Sequence, residues 1–210
     1  MWTFLTQIDI RLFYLINKTG KNAFFDILMP FISDIRHFYI PLGIIWVFLI
    51  AQKSVKTRTV AMAILLLIGF SETLNTEVLK PVFDRPRPYD SLSHVHLYDR
   101  ISKTWGITPE LKAVVEGQSR SLPSSHATNI FAAAFFLSVY FRKLWPLFYL
   151  IAFLVGYSRV YLGVHFPSDV FAGAVFGTLC GCFLMWITTY IIRRIEPKKD
   201  EIVHHHTGIQ

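Results

Sequence analysis

The chain has 210 residues, 53% apolar and 17% charged, with a formal net charge of +7 at pH 7. Average soluble domains carry roughly 25% charged residues; here the deficit is concentrated in long apolar runs, which points to an integral membrane protein built as a single domain over residues 1–210. The positive charge does not indicate nucleic acid, because Lys and Arg sit at the ends of apolar segments and in short motifs rather than along one stripe.

Residues 2–17 mix Gln7, Asp9 and Arg11 with Phe4, Leu5, Ile8, Leu12, Phe13 and Leu15. They lack the basic n-region of a signal peptide and predict an amphipathic helix lying at the membrane interface within residues 1–21. Residues 22–51 are apolar but broken by Asp26, Asp34, Arg36, His37 and Pro41, which favours two short helices over one long kinked one. Residues 59–79 match the about 20 apolar residues needed for a crossing. Residues 81–122, Pro-rich and then polar, predict a long loop outside the membrane. Further helices are expected at 124–141, 145–162 and 167–192, followed by a basic disordered tail at 193–210. The fold class is therefore all-α, a polytopic membrane helix bundle of about six transmembrane helices. Gly173, Gly177 and Gly181 share one face of the last helix and allow close helix approach; packing within the bundle is favoured over a dimer contact. Cys180 and Cys182, two apart, point in different directions on a helix and read as core residues, not a bridge. The run His204–His206 is too short to indicate a metal site.

Short cytoplasmic loops collect Lys and Arg. Lys53, Lys56 and Arg58, then Arg142 and Lys143, then Arg193, Arg194, Lys198 and Lys199 fall on one face of a six-crossing bundle. Three polar motifs then meet on the opposite face, outside the cytoplasm, which in a bacterial inner (cell) membrane is the periplasm or exterior.

Each motif has chemistry suited to phosphate. Lys80 and Arg87 flank a proline-rich turn and offer a point charge and a planar fork to an oxyanion, although basic residues at helix ends also snorkel; Arg85 could take the same role. Pro123-Ser124-Ser125-His126 opens a helix, where free amides and the dipole favour an anion. Ser124 and Ser125 stand at the capping position, and His126 is placed to donate a proton. Ser158-Arg159 ends the next helix, and His165 follows with Asp169 four residues on, close enough on a helical turn to orient the imidazole. A carboxylate near the membrane needs a partner.

Taken together the motifs resemble those of the type 2 phosphatidic acid phosphatase superfamily of membrane lipid phosphatases, which also includes vanadium haloperoxidases. They read Lys80-x6-Arg87-Pro88, Pro123-Ser124-Ser125-His126 and Ser158-Arg159-x5-His165-x3-Asp169, within a core over residues 60–192. Ser125 replaces the family glycine of the second motif. The resemblance implies that His165 is the nucleophile, oriented by Asp169, with His126 as acid and base, and that Lys80, Arg87, Ser124, Ser125 and Arg159 bind the phosphate. It implies hydrolysis of a lipid phosphomonoester or diphosphate through a phosphohistidine. The candidate substrates are a polyprenyl diphosphate such as undecaprenyl diphosphate, phosphatidylglycerol phosphate, phosphatidic acid and lipid A phosphate. The expected partners are a lipid phosphate and the bilayer, with no nucleic acid; no cofactor and no metal are expected, since His94, His96, Asp90 and Asp99 of the loop are irregularly spaced. A lipid phosphotransferase and a non-catalytic lipid-binding or transport protein of the same fold are the alternatives. Glu72, Asn75 and Glu77 in the third helix are expected to support the site or the bundle, with Glu77 pairing with Lys80.

Overall fold

The structure is a computed structural model that describes residues 2–110 and 120–195, without the side chains of residues 2 and 3. Helix α1 (Trp2–Tyr14) runs into a π-helical turn at Leu15–Thr19. Helix α2 (Ala23–Ser33) starts where the Asn22 side chain accepts from the Phe25 amide, and a 3-10 turn separates it from α3 (Tyr39–Ala51). Helix α4 (Val55–Thr73), a π segment (Leu74–Leu79) and α5 (Lys80–Phe83) form one helical column. The short α6 (Pro88–Ser91) precedes an antiparallel hairpin, β1 (His96–Asp99) and β2 (Thr104–Ile107). Helices α7 (Ser125–Tyr140), α8 (Trp145–Tyr161) and α9 (Pro167–Ile195) complete the described chain.

The chain is mostly helical. Three columns are long and apolar enough to cross a membrane, Val55–Phe83, Arg142–Tyr161 and Pro167–Ile195, and α2 with the segment to Ala51 makes a fourth if this pair, bent by 66°, is one span. Helix α7, with 16 residues, is shorter. The two helices expected in 22–51 are present, but α2 does not traverse the bundle. Near its start the Tyr161 hydroxyl accepts from the Asn22 amide at 3.1 Å, and at its end Asp34 meets Arg100 at 3.4 Å, so both ends touch the same end of the molecule. Asn22, Asp26, Ser33 and Asp34 all find partners on α8 or the hairpin, and these bonds hold α2 across that end. The expected polar loop at 81–122 contains the hairpin, and the expected tail begins inside α9; residues 196–210, with the His204–His206 run, lie outside the described residues.

The core forms where α4, α7 and α9 meet through Val60, Leu67, Ala132, Phe136 and Cys180, and where α7 meets α8 through Phe131 and Ala152. Helix α9 lies directly against α7. A Cβ on Gly177 would stand 2.2 Å from the Thr128 carbonyl oxygen, and one on Gly181 2.8 Å from that of Ala132. The glycine face thus packs within the bundle, as its spacing suggests. Cys180 and Cys182 are free thiols.

Candidate active site

The first motif sits where the α4 column stops. Asp84 takes a left-handed conformation (φ 40°) that ends α5 and turns the chain. Arg85 and Pro86 then run beside residues 120–121: the Ser121 amide donates to the Arg85 carbonyl at 2.8 Å and its hydroxyl to that of Pro86 at 3.1 Å. This pairing carries the first motif alongside the second.

The second motif opens α7. The Ser124 amide donates to the Asp169 carbonyl at 3.0 Å, which joins it to the third motif. Ser124 stands at the N-cap as expected, but its hydroxyl makes no capping bond. Ser125, in place of the family glycine, is held from below: the Asn75 amide group donates to its Oγ at 2.7 Å. That bond uses an acceptor site and leaves the Ser125 hydroxyl proton to donate elsewhere. Asn75 lies in the π segment, a type of helical irregularity common at functional sites.

The third motif bridges α8 and α9. Arg159 is buried and donates from Nη1 to Ser33 Oγ at the end of α2. Gly163 follows with φ +80°, and any Cβ there would meet the His96 carbonyl at 2.8 Å, so glycine is needed both for the turn and for the hairpin's approach. His165 and Asp169 are buried. His165 Nδ1 stands 3.6 Å from Asp169 Oδ2, longer than a hydrogen bond, so the carboxylate acts on the ring through charge. Asp169 Oδ2 instead accepts from the Phe166 amide at 2.8 Å, which fixes the carboxylate against the loop bearing the histidine. Burial, opposed by Asp169, holds His165 down to about 4, so the imidazole is neutral at pH 7.

The three motifs converge. Arg87 and Arg159 act electrostatically on Lys80, on His126 and on His165. Arg87 Nε, Arg159 Nε, Ser124 Oγ and His165 Nδ1 are buried without a hydrogen-bond partner. Buried polar groups in native proteins are almost always paired. Three of these atoms, Arg87 Nε, Ser124 Oγ and Arg159 Nε, come one from each motif and make a site suited to an anion with several oxygens.

Two residues of this machinery were not assigned from the sequence. Arg85 does not join the phosphate cluster. Its Nη1 donates to Asp169 Oδ1 at 2.8 Å and to Ser168 Oγ at 2.6 Å, its Nη2 donates to Asp9 Oδ2 at 2.6 Å, and its guanidinium lies 4.0 Å from the Phe166 ring. Asp9 of α1 also accepts from the Ser168 amide at 2.9 Å. Helix α1 therefore reaches the Asp169 carboxylate through one arginine. The signal available in the sequence was an acidic residue between Ile8 and Ile10; in the structure Asp9 is only 7% exposed. Glu77 is exposed and forms no ion pair with Lys80 among the described residues; Glu72, which accepts from Asn129 at 2.6 Å, is the carboxylate whose charge bears on Lys80.

The loop residues disperse to separate partners. His96 stacks on Trp105 with ring centroids 4.1 Å apart and meets Asp26 at 3.2 Å, and Asp99 accepts from the Ile101 amide. Among the described residues no group of three or more His, Cys, Asp or Glu side chains is arranged to hold a metal.

Residues 57–193 match the PAP2 superfamily. The bacitracin transport permease protein BcrC of Bacillus licheniformis is 26% identical over 86% of this chain and 81% of that protein. The lipid A 4'-phosphatase of Bacteroides thetaiotaomicron is 28% identical over 93% of this chain and 84% of that protein. Among solved structures, a transmembrane PAP2-type phosphatidylglycerolphosphate phosphatase from Bacillus subtilis superposes with a TM-score of 0.62 at 25% identity, covering 93% of this chain and 89% of that one. With its three motifs gathered at one end of an apolar bundle and the match spanning most of its length, the chain belongs to the PAP2 superfamily.

Proposed function

We propose that this protein is an integral membrane lipid phosphatase that hydrolyses a lipid phosphomonoester or diphosphate through a phosphohistidine at His165. The observation that carries the reading is the set of three unpartnered buried polar atoms, one from each motif, on Arg87, Ser124 and Arg159. Lys80, Arg87 and Arg159 hold the phosphoryl oxygens and balance the charge that builds in the transition state, assisted by Ser124, Ser125 and the first amides of α7. With Nδ1 turned to Asp169, the Nε2 lone pair of His165 attacks phosphorus. The N–P bond forms as the bond to the leaving oxygen breaks; His126, which burial and then the charge of Arg159 keep neutral in the free chain, takes up a proton when the phosphate anion binds beside it and gives that proton to the leaving oxygen. His126 then takes a proton from water, whose oxygen displaces His165 from phosphorus and releases phosphate. The scheme uses no cofactor and no metal.

The site is assigned to the periplasmic or exterior face of a bacterial inner membrane. Lys56 lies 6.0 Å from the Tyr140 ring, and Tyr140 meets Thr189 at 3.1 Å, which supports gathering the basic clusters near 53–58, 142–143 and 193–194 at the end of the bundle away from His165. The lipid tail leaves between helices, where α1 and α2 expose Leu5, Ile8 and Phe24.

Phosphate release by detergent-purified protein, measured with EDTA, tests this. The panel is undecaprenyl diphosphate, phosphatidylglycerol phosphate, phosphatidic acid and lipid A. Release that survives EDTA and disappears in His165→Ala is expected. Release that persists in the variant would remove His165 from its role. The name of one relative raises transport as a second reading; a transporter would retain its function in His165→Ala.

A further inference from the structure

A cleft of about 260 Å³ lies between α2, the turn after it and the β1–β2 hairpin. Its walls carry Arg36, Arg100 and Lys103 against one carboxylate, Asp34. Arg36 engages that carboxylate closely, with Nε and Nη2 at 2.9 and 2.6 Å, whereas Arg100 reaches it only at 3.4 Å. One carboxylate thus meets two guanidiniums, with Lys103 beside them, so positive charge exceeds negative in the cleft. The turn that presents them is built rather than loose. Asp99 accepts from the Ile101 amide and the Ser102 hydroxyl, both at 2.8 Å, and Lys103 adopts φ 57°, a conformation that ordinarily selects glycine or asparagine.

The cleft adjoins the catalytic cluster. Ser33 lines it and also accepts from Arg159. Leu162 lines it three residues before His165. The charge of Arg100 reaches both His126 and Arg159. Since the phosphate-binding groups of the three motifs form their own cluster, a second group of cations beside it has an anion of its own to meet.

We propose that this cleft is a second anion subsite, which takes a further phosphate of the same lipid headgroup while the first lies against His165. The proposal rests on the lipid phosphatase reading and narrows it to lipids with two phosphates, either joined as a diphosphate or set apart on the headgroup. Ion pairing at the mouth of a binding site acts on recognition more than on the chemical step.

Binding to the full chain carrying His165→Ala tests the subsite independently of turnover. Two pairs of probes differ by one phosphate: undecaprenyl diphosphate against undecaprenyl monophosphate, and bisphosphorylated against monophosphorylated lipid A. The expected result is at least about tenfold tighter binding of the two-phosphate member in one or both pairs, the value of one charge-assisted bond. Adding Arg100→Gln and Lys103→Gly erases that preference and leaves the one-phosphate affinity within about threefold. Glycine is chosen at 103 because it keeps the left-handed turn, and Lys103→Gly alone serves if the double variant does not fold. Preference in the undecaprenyl pair alone assigns adjoining phosphates, and in the lipid A pair alone separated ones. No preference in either pair, or equal weakening of both members by the substitutions, overturns the subsite. Intact preference with no hydrolysis of any of these lipids by the unsubstituted chain would overturn the phosphatase reading and leave the subsite standing.

Discussion

The bundle of α4, α7, α8 and α9 and the cap of α1, α2 and the hairpin hold the same site by opposite means. In the bundle the contacts are steric and apolar: Gly177 against the Thr128 carbonyl, Val60, Leu67 and Phe136 around Cys180. In the cap they are polar and long-range. Asn17 donates to the carbonyls of His96 and Tyr161 at 2.7 and 2.8 Å, Asp26 accepts from the Tyr161 hydroxyl at 2.7 Å, and Asp9 takes Arg85. Helices in a bilayer gain little from the hydrophobic effect and associate by close packing. A polar group buried at the interface must be paired or it costs free energy. The bundle bears most of the three motifs, and the cap bonds to them through Arg85 and Arg159.

Spoiling the packing of α9 on α7 is expected to have the largest effect. Gly177→Leu places atoms where a backbone oxygen already lies, and overpacking typically costs about 1–3 kcal/mol, occasionally more. The thermal melt of purified protein is expected to collapse and activity to vanish with it. Gly69→Ala, at a position with nothing within 4 Å of the new Cβ, is expected to hold or raise stability by up to about 1 kcal/mol. Equal melts for the two variants would contradict steric packing of α9 on α7.

In the cap, Asp9→Ala leaves Arg85 with one carboxylate partner and frees it to shift Asp169. A misplaced catalytic group can cost about 100-fold, and a drop of about 10- to 100-fold in kcat is expected with KM nearly unchanged and the melt within a few degrees. Partial recovery in Asp9→Glu would mark positioning; loss of kcat in step with loss of folded protein would mark a merely structural residue. A smaller effect is expected from Ser33→Ala, which removes the acceptor of Arg159. One hydrogen bond to a charged group is worth about tenfold, read as a fall in kcat/KM.

The smallest effect concerns pH. The pKa of His165 is held near 4 in the folded chain and is 6.5 in an open one. The neutral form, needed for attack, therefore persists as pH falls through 6.5, and the acid limb of kcat/KM set by this group is expected near 4. Because the folded value is the lower one, the stability it contributes is complete above pH 6.5 and declines as pH falls toward 4. An acid limb near 6.5 would mean that His165 is exposed during turnover.

Sequence spacing was enough to gather the three motifs at one end of the bundle, while the roles given to their residues rest on the family resemblance. Lys80, Arg87, His126, Arg159, His165 and Asp169 stand at helix ends, and helices that alternate in direction bring those ends together without any knowledge of packing. The column over Val55–Phe83 and helices α7, α8 and α9 were legible for the same reason, since long apolar runs state their own length. Less was legible in 22–51, where a bend of 66° turns α2 across the bundle end instead of through it. That orientation depends on bonds from Asn22, Asp26, Ser33 and Asp34 to residues distant in the chain. The same holds for the tie of Asp9 to Arg85, 76 positions apart. Periodicity encodes which face of a helix is buried. The pairing of two charges from separate elements is decided only when those elements pack, because each charge is stabilised by whichever opposite group the tertiary structure buries beside it.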